Sequence, residues 1–456
     1  MKKTNHVFFF VMMLSAGLFS AESIFAQTET KAPAQTTFSL KQAQDYALKT
    51  NLNNINAEID IKLAKARKNE IQGIGYPQIS GNFDIKDFIE IPTSLIPGEI
   101  FGAPPGTFIP VQFGTKYQAS AGVQISQIVF SSDYLVGLQA SKAYLELSEK
   151  SLKRNQAESN AAVAKAYLNV LVNRERVKLL DANLERLEKL RKDTKALQSA
   201  GFVEAIDVDR IEVAFNNLQT EKEKITRLIG LTETLLKFQM GYEIAQPITL
   251  TDSLPMYSSD LSDITLNAKP NVSARPEYGL LESQVKLQEL DLKRNRLSYL
   301  PTLAAYGSLS AMAMRNEFDV FSGIRWFPTA VIGGTLNLPI FDGLQKNFKI
   351  EQAQLNLIKS RNGLKSFEQA ASLEINSAGI TYQNALSSLK TQQKNIDLAK
   401  NVYKVTKTKY EQGLGSNLEV VTAETALKEA ETNYFSALYD ALVARVEYQK
   451  ATGTLK

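Results

Sequence analysis

Two hydrophobic periods alternate along this chain. Val163, Val170, Val177 and Leu184 recur every seven residues, and Ala166, Leu180 and Leu187 each follow a member of that series by three. This spacing is the a/d seam of helices packed as a coiled coil. Near the C-terminus the stripe changes character. Ala423, Ala426, Ala430, Ala437, Ala441 and Ala444 recur at steps of three, four or seven, and such small residues let neighbouring helices approach closely. Elsewhere the period falls to two. Ile79, Gly81, Phe83 and Ile85 alternate with Ser80, Asn82, Asp84 and Lys86. Tyr117, Ala119, Ala121, Val123 and Ile125 alternate with Gln118, Ser120, Gly122, Gln124 and Ser126. Ala330, Ile332, Gly334, Leu336 and Leu338 alternate with Val331, Gly333, Thr335 and Asn337, and residues 303–314 follow the rule more weakly. Alternation of this kind predicts strands with one apolar and one polar face, at about 78–88, 117–130, 302–314 and 329–341.

Proline divides the same elements. All 14 prolines fall at 33, 77–110, 247–276 and 301–339, leaving 111–246 and 340–456 without any. A proline inside a helix costs ~3 kcal/mol, so the two proline-free tracts predict long helices, and their Ala, Leu, Glu, Lys and Gln content agrees. The chain also repeats itself. QSAGFVEAIDV (198–208) echoes YEQGLGSNLEV (410–420), with Gly201 against Gly413, Ile206 against Leu418 and Val208 against Val420. AVAKAYLNVL (162–171) resembles INSAGITYQNAL (375–386), and IGYPQISGNF (74–83) resembles LSYLPTLAAYG (297–307). Two structural repeats are expected, about 38–240 and 275–453, joined by a linker at 242–274. Each reads as helix, proline, strand pair, long helix, glycine turn, helix. Residues 89–116, with five prolines and four glycines, are expected to be neither helix nor strand. Residues 315–328 carry Phe318, Phe321, Trp326 and Phe327, as strand ends do at a membrane interface.

Four strands are too few to close a barrel around an open pore, and an open sheet of four leaves its edges exposed. Contribution of strands from several chains answers both problems.

Composition then narrows the chemistry. Residues 1–26 read as a secretory signal: Lys2 and Lys3, an apolar run VFFFVMMLSAGLF at 7–19, and Ala26 before Gln27. The run is short for a membrane anchor. Cysteine is absent, which excludes disulfides, thiol nucleophiles, thiolate metal sites and a lipidated N-terminal cysteine. The one histidine is His6, inside the expected leader. No imidazole base and no common zinc site is therefore expected in the mature chain, and no enzyme, cofactor or metal. Asp207 with Glu419 is the one acid pair worth weighing for glycosidase-like work, and it sits on solvated helix faces. Gly413-Leu-Gly415 lacks the Lys-Ser/Thr of a phosphate loop. With 52 basic and 48 acidic residues, a net +4, the chain is too balanced for nucleic-acid binding.

The two-fold repeat, LNLPIFDG (336–343) ending a strand before the long helix, and YEQGLGSNLEVVTAE (410–424) together resemble the TolC-like outer-membrane efflux family over roughly residues 38–453. The resemblance implies a mixed fold, mostly α. A long coiled-coil helical barrel would cross the periplasm, and four strands per chain would enter one trimeric transmembrane β-barrel. It implies a homotrimer in the outer membrane of a Gram-negative bacterium, in contact with lipid. It also implies a periplasmic adaptor (membrane fusion) protein and an inner-membrane RND or ABC pump as partners. The function implied is a passive exit duct for efflux or secretion. The shorter helices 203–239 and 416–452 would stack end to end on first helices at about 40–72 and 275–298. The tips at Gly201, Gly413 and Gly415 would dock the adaptor. Asp207 and Tyr410 fall where members link neighbouring hairpins shut, and Glu419 falls at the first of two acidic gate positions. Thr422 stands at the second, and Gly415 replaces a bracing Arg found in some members. A plainer reading of Glu419 is a solvated carboxylate favoured by the helix N-terminus. The alternative to a duct is a periplasmic coiled-coil scaffold or adaptor-like protein without a pore, against which the alternating segments argue.

Overall fold

The computed structural model describes residues 36–259, 261, 271–319 and 325–455. The expected leader at 1–26 lies outside the described residues, as do 260 and 262–270 of the expected linker. The chain opens with helices α1 (Leu40–Thr50) and α2 (Leu52–Ile74) and strand β1 (Gln78–Asp87). The hairpin β2 (Thr93–Pro97) and β3 (Phe108–Gln112) leads to β4 (Tyr117–Phe130). Helix α3 (Ser132–Ser199) and helix α4 (Ala205–Met240) follow. The order then recurs: α5 (Pro276–Leu297), β5 (Thr302–Arg315), β6 (Phe327–Asn337), α6 (Gln345–Glu411) and α7 (Asn417–Ala451). Helices α3 and α6 have 68 and 67 residues. At ~1.5 Å per residue each is roughly 100 Å long.

Strands β1, β4, β5 and β6 form one antiparallel sheet in that order. Its register turns single-strand alternation into rows across four strands. Phe83, Ala121, Ala311 and Pro328 stand in one row, Gly81, Val123, Leu309 and Ala330 in the next, and Ile79, Ile125, Gly307 and Ile332 in a third. The rows between belong to the other face: Asn82, Gly122, Ser310 and Thr329, then Ser80, Gln124, Ser308 and Val331. One face is thus continuously apolar and, among the described residues, largely uncovered: Ile332 is 94% exposed, Ile79 68% and Phe83 55%, while Ala119 and Ala313 on the same face are buried. Strands β1 and β6 have no partner on their outer sides among the described residues.

Three expectations change. Residues 89–116 contain the paired strands β2 and β3, with Leu95 opposite Pro110 and Pro97 opposite Phe108. A two-stranded ribbon has an outer side to each strand, so a proline that donates nothing is accommodated there. The last strand ends at Asn337, short of 341, because Pro339 stops the ladder. The first helix, expected unbroken over 40–72, is divided at Asn51, whose backbone is extended (φ −65°, ψ 125°).

That division makes a joint. The Asn51 side chain accepts from Asn53 N at 2.9 Å, capping α2, and donates through Nδ2 to Gln239 O at 2.8 Å, capping the far end of α4. Thr50 Oγ1 donates to Met240 O at 2.7 Å. Gly241 follows with φ 67°, and a Cβ there would lie 2.5 Å from Thr50 O. The end of α4 therefore abuts the start of α2. Gly453, after α7, meets Ala274 just before α5 in the same way. Around the first joint lies one apolar core, with Phe38, Tyr167, Val170, Leu236, Met240 and Leu442 buried. The Tyr167 hydroxyl donates to Phe38 O at 3.0 Å. A second core follows the heptads toward the other end of the helices, with Leu180, Leu187, Ile211, Leu218, Val420 and Leu427. Asn51→Ala removes both caps and is expected to lower stability by about 1–2 kcal/mol. The check is a lower denaturant midpoint of the helical circular dichroism signal.

Candidate functional site

The ends of the long helices farthest from the sheet are built alike. At the end of α3, Gly201 takes φ 79°, and Phe202 N donates to Leu197 O at 2.9 Å. At the end of α6, Gly413 takes φ 73°, and Leu414 N donates to Lys409 O at 2.8 Å. This closure satisfies carbonyls that the helix would leave unpaired, and it needs a left-handed residue that glycine supplies without cost from a Cβ. The residue after each glycine is thrust outward: Phe202 is 78% exposed and Leu414 77%.

Beyond the second tip, Ser416 starts α7 by accepting Glu419 N at 3.3 Å on its hydroxyl. Gly415 has an ordinary φ, and close packing explains it instead. A Cβ there would stand 3.2 Å from both Lys409 Cβ and Tyr410 N, and 3.4 Å from Glu419 Oε2. The start of α7 thereby folds back on the last turn of α6.

Each residue singled out from the sequence has a definite setting. Glu419 and Thr422 are exposed, three apart and so on one face of α7. The Thr422 hydroxyl is used by its own helix, donating to Leu418 O at 2.7 Å. Asp207 pairs with Arg210 at 3.2 Å. The Tyr410 hydroxyl stands 3.4 Å from Oγ1 of the buried Thr194 on α3. Within one protomer, then, Tyr410 ties α6 to α3, and Asp207 ties to its own helix. The two are not brought together.

Sequence reasoning missed a buried polar group farther up the same helices: Asn183 and Arg186 on α3, Tyr403 on α6, and Glu424 and Glu431 on α7. Burial pushes both glutamate carboxyls above their ordinary values, against the pull of Arg186. Burial first, and then the Glu424 charge, push the Tyr403 phenol up to about 12. A signal was available. Glu424 and Glu431 each follow a member of the alanine stripe, Ala423 and Ala430, at the same step of seven.

Among the described residues, no group of three or more His, Cys, Asp or Glu side chains gathers to hold a metal ion. No described helix is long and apolar enough to cross a membrane. The apolar area that could meet lipid belongs to the sheet, at the opposite end from the tips.

Comparison with known proteins agrees with this layout. Residues 281–454 match the family model described as outer membrane efflux protein. The chain is 21% identical over 345 residues to the probable efflux pump outer membrane protein TtgC of Pseudomonas putida, covering 74% of this chain and 69% of that one. It is 18% identical over 341 residues to the outer membrane protein TolC of Vibrio cholerae, covering 74% and 77%. The solved structure of CusC, a protein described as forming a transmembrane channel, superposes with a TM-score of 0.73 at 15% identity, over 93% of this chain and 95% of that one.

Gly413→Ala forces an L residue into the left-handed region, at about 1–2 kcal/mol. Amide hydrogen exchange over 408–420 is expected to quicken accordingly, with exchange near Gly241 unchanged.

Proposed function

Because the chain belongs to the TolC-like family of outer membrane efflux proteins, we propose that it is a passive channel-tunnel of the Gram-negative outer membrane, an exit duct for efflux or secretion. The observation that carries this reading is the sheet: an exposed apolar face, a polar opposite face and two free edges. A membrane-spanning sheet must close, because unpaired backbone groups cannot be solvated by lipid. Three copies edge to edge supply twelve strands. Eight make only a filled or narrow barrel, so twelve leave room for a passage lined by Ser80, Asn82, Ser308 and Ser310.

The helices continue the wall. Helices α3 and α6, with α4 on α2 and α7 on α5 stacked end to end, make a tunnel segment roughly 100 Å long for the periplasm. The tips at Gly201 and Gly413 face away from the membrane and present Phe202 and Leu414 to a periplasmic adaptor, which joins the duct to an inner-membrane RND or ABC pump. Transport energy comes from that pump. Glu419 from three chains rings the inner aperture and favours cations, as charged rings do in other pores. Thr422 adds no second carboxylate. Tyr410 holds the tips closed, through Thr194 in its own chain and, between protomers, through Asp207 of the adjoining chain's hairpin. A pore-free scaffold would leave the apolar face of the sheet without a purpose.

Reconstitution of the purified oligomer in planar bilayers is the decisive experiment. Discrete, cation-preferring conductance from a trimer is expected, and a trimer with no conductance would reinstate the scaffold. In the same assay Tyr410→Phe should raise the resting conductance, by about 1 kcal/mol of lost closure per hydrogen bond. Glu419→Ala should reduce the cation preference.

The two faces of the sheet should respond in opposite ways to charge. Ile332→Lys places an ammonium in lipid, at about 2–4 kcal/mol near the bilayer midplane. Assembly into outer membranes is expected to fall, while Ser310→Lys, facing water, leaves assembly intact and alters ion selectivity. Membrane fractionation and conductance read the two outcomes.

A further inference from the structure

The seam between the α3–α4 hairpin and the α6–α7 hairpin of one protomer is apolar for most of its length, through Leu187, Leu190, Ile211, Leu218, Val420 and Leu427. Two carboxylates interrupt it. Glu424 and Glu431 lie seven residues apart on α7 and are 5% and 3% exposed. One guanidinium serves both. Arg186 Nη2 lies 3.6 Å from Glu424 Oε1 and also donates to Asn183 Oδ1. Asn183 donates in turn from Nδ2 to Glu431 Oε2 at 2.6 Å. The Tyr403 ring supports the guanidinium at 5.3 Å, and its hydroxyl stands beside Glu424. One polar chain thus ties α3, α6 and α7 across the seam.

The chain is incomplete. Glu424 Oε2, Glu431 Oε1, Arg186 Nε and the Tyr403 hydroxyl are buried without a hydrogen-bond partner. The surrounding charges do not close the gap. On α6, Lys400 and Lys407 act on the two carboxyls from farther off, and Lys407 is itself paired with Glu411 at 3.8 Å. On α4, Glu221 is paired with Arg176 of α3 at 3.7 Å. With Lys428 of α7 they border the shallow groove over Glu431. Two ionised carboxylates against one guanidinium leave a buried negative charge uncompensated, which is costly in a dry seam. A proton taken from solvent removes that charge. It also turns an unpaired acceptor into a donor, which the Tyr403 hydroxyl can accept.

We propose that Glu424 and Glu431 hold one proton between them when the seam is packed, and form a proton-controlled latch between the two hairpins of each protomer. The latch rests on the reading of the tips as a gate. Its sign follows from burial. The packed seam raises the affinity of these carboxyls for protons, whereas water entering an opened seam lowers it to the ordinary range. The packed state is therefore strongest at low pH and weakens as pH rises through the raised values. Acidity tightens the hold between the hairpins, and neutral or alkaline conditions loosen it.

The test uses the full-length oligomer in lipid. Amide hydrogen exchange over 180–194 and 417–434, corrected for the intrinsic pH dependence of exchange, is compared at about pH 5 and about pH 8. Higher protection at the lower pH is expected, about tenfold for each pH unit by which the two proton affinities differ. Equal protection would overturn the latch. The double variant Glu424→Gln, Glu431→Gln mimics the protonated pair in shape and should hold the high protection at both pH values. Glu429→Gln, on the exposed face of the same helix, should keep the wild-type step. A double variant that also keeps the wild-type step would sink the idea. Bilayer conductance separates this proposal from the one it rests on. A pH step in protection without any conductance would defeat the duct and leave the latch, and conductance without a pH step in protection would do the reverse.

Discussion

A sheet with one uncovered apolar face and two unpaired edges has no stable place in water as a single copy. The apolar rows through Phe83, Val123, Leu309 and Ile332 would order water against them, and the free backbone of β1 and β6 would pair with any strand available. Closure with other copies in lipid resolves both at once. Most of the architecture follows from that closure. Strands joined in a ring point their connections up or down the axis, so α3, which leaves β4 almost directly, and α6, which follows β6 after a short loop, continue the ring as a tube.

A tube of long helices poses its own problem, because every helix end leaves backbone groups unpaired. The structure answers with one device used repeatedly. Gly201 and Gly413 close the far tips, and Gly241 and Gly453 close the returning helices near the middle, each with the same left-handed turn. At the middle joint, Thr50 and Asn51 add side-chain bonds that cap two helices from one place. Stacked in this way, α4 and α2 behave as one strut, with the carboxyl end of one dipole set against the amino end of the next.

Between tips and joint, packing is mostly apolar, and among the described residues Glu424 and Glu431 are the carboxylates buried in it. Replacing such a group by well-packed hydrophobes is often neutral or stabilising, so its presence speaks for specificity or response rather than strength. The apolar heptads hold the hairpins together at any pH. The carboxylates make a part of that hold conditional, and they do so on the face where the two hairpins of one protomer meet.

The mixed, mostly helical fold class was legible because it is written in local geometry. Side chains alternate every two residues along a strand and return every seven along paired helices whatever the rest of the molecule does. The turn glycines were legible for a similar reason, since a left-handed residue excludes most alternatives. Proline counting misled at 89–116, where a ribbon edge tolerates a residue that a sheet interior rejects. The break at Asn51 depends on the end of α4, 188 residues away. The same holds for the site. Glu419 reads as exposed because its neighbours in sequence cap and surround it. Glu431 reads as one more surface acid until Asn183, 248 residues earlier, is brought against it. The sequence by itself determined the period of each segment and the places where the backbone must turn. Only the tertiary structure decided which polar groups lost their water, because desolvation depends on what packs from another helix and not on spacing along one.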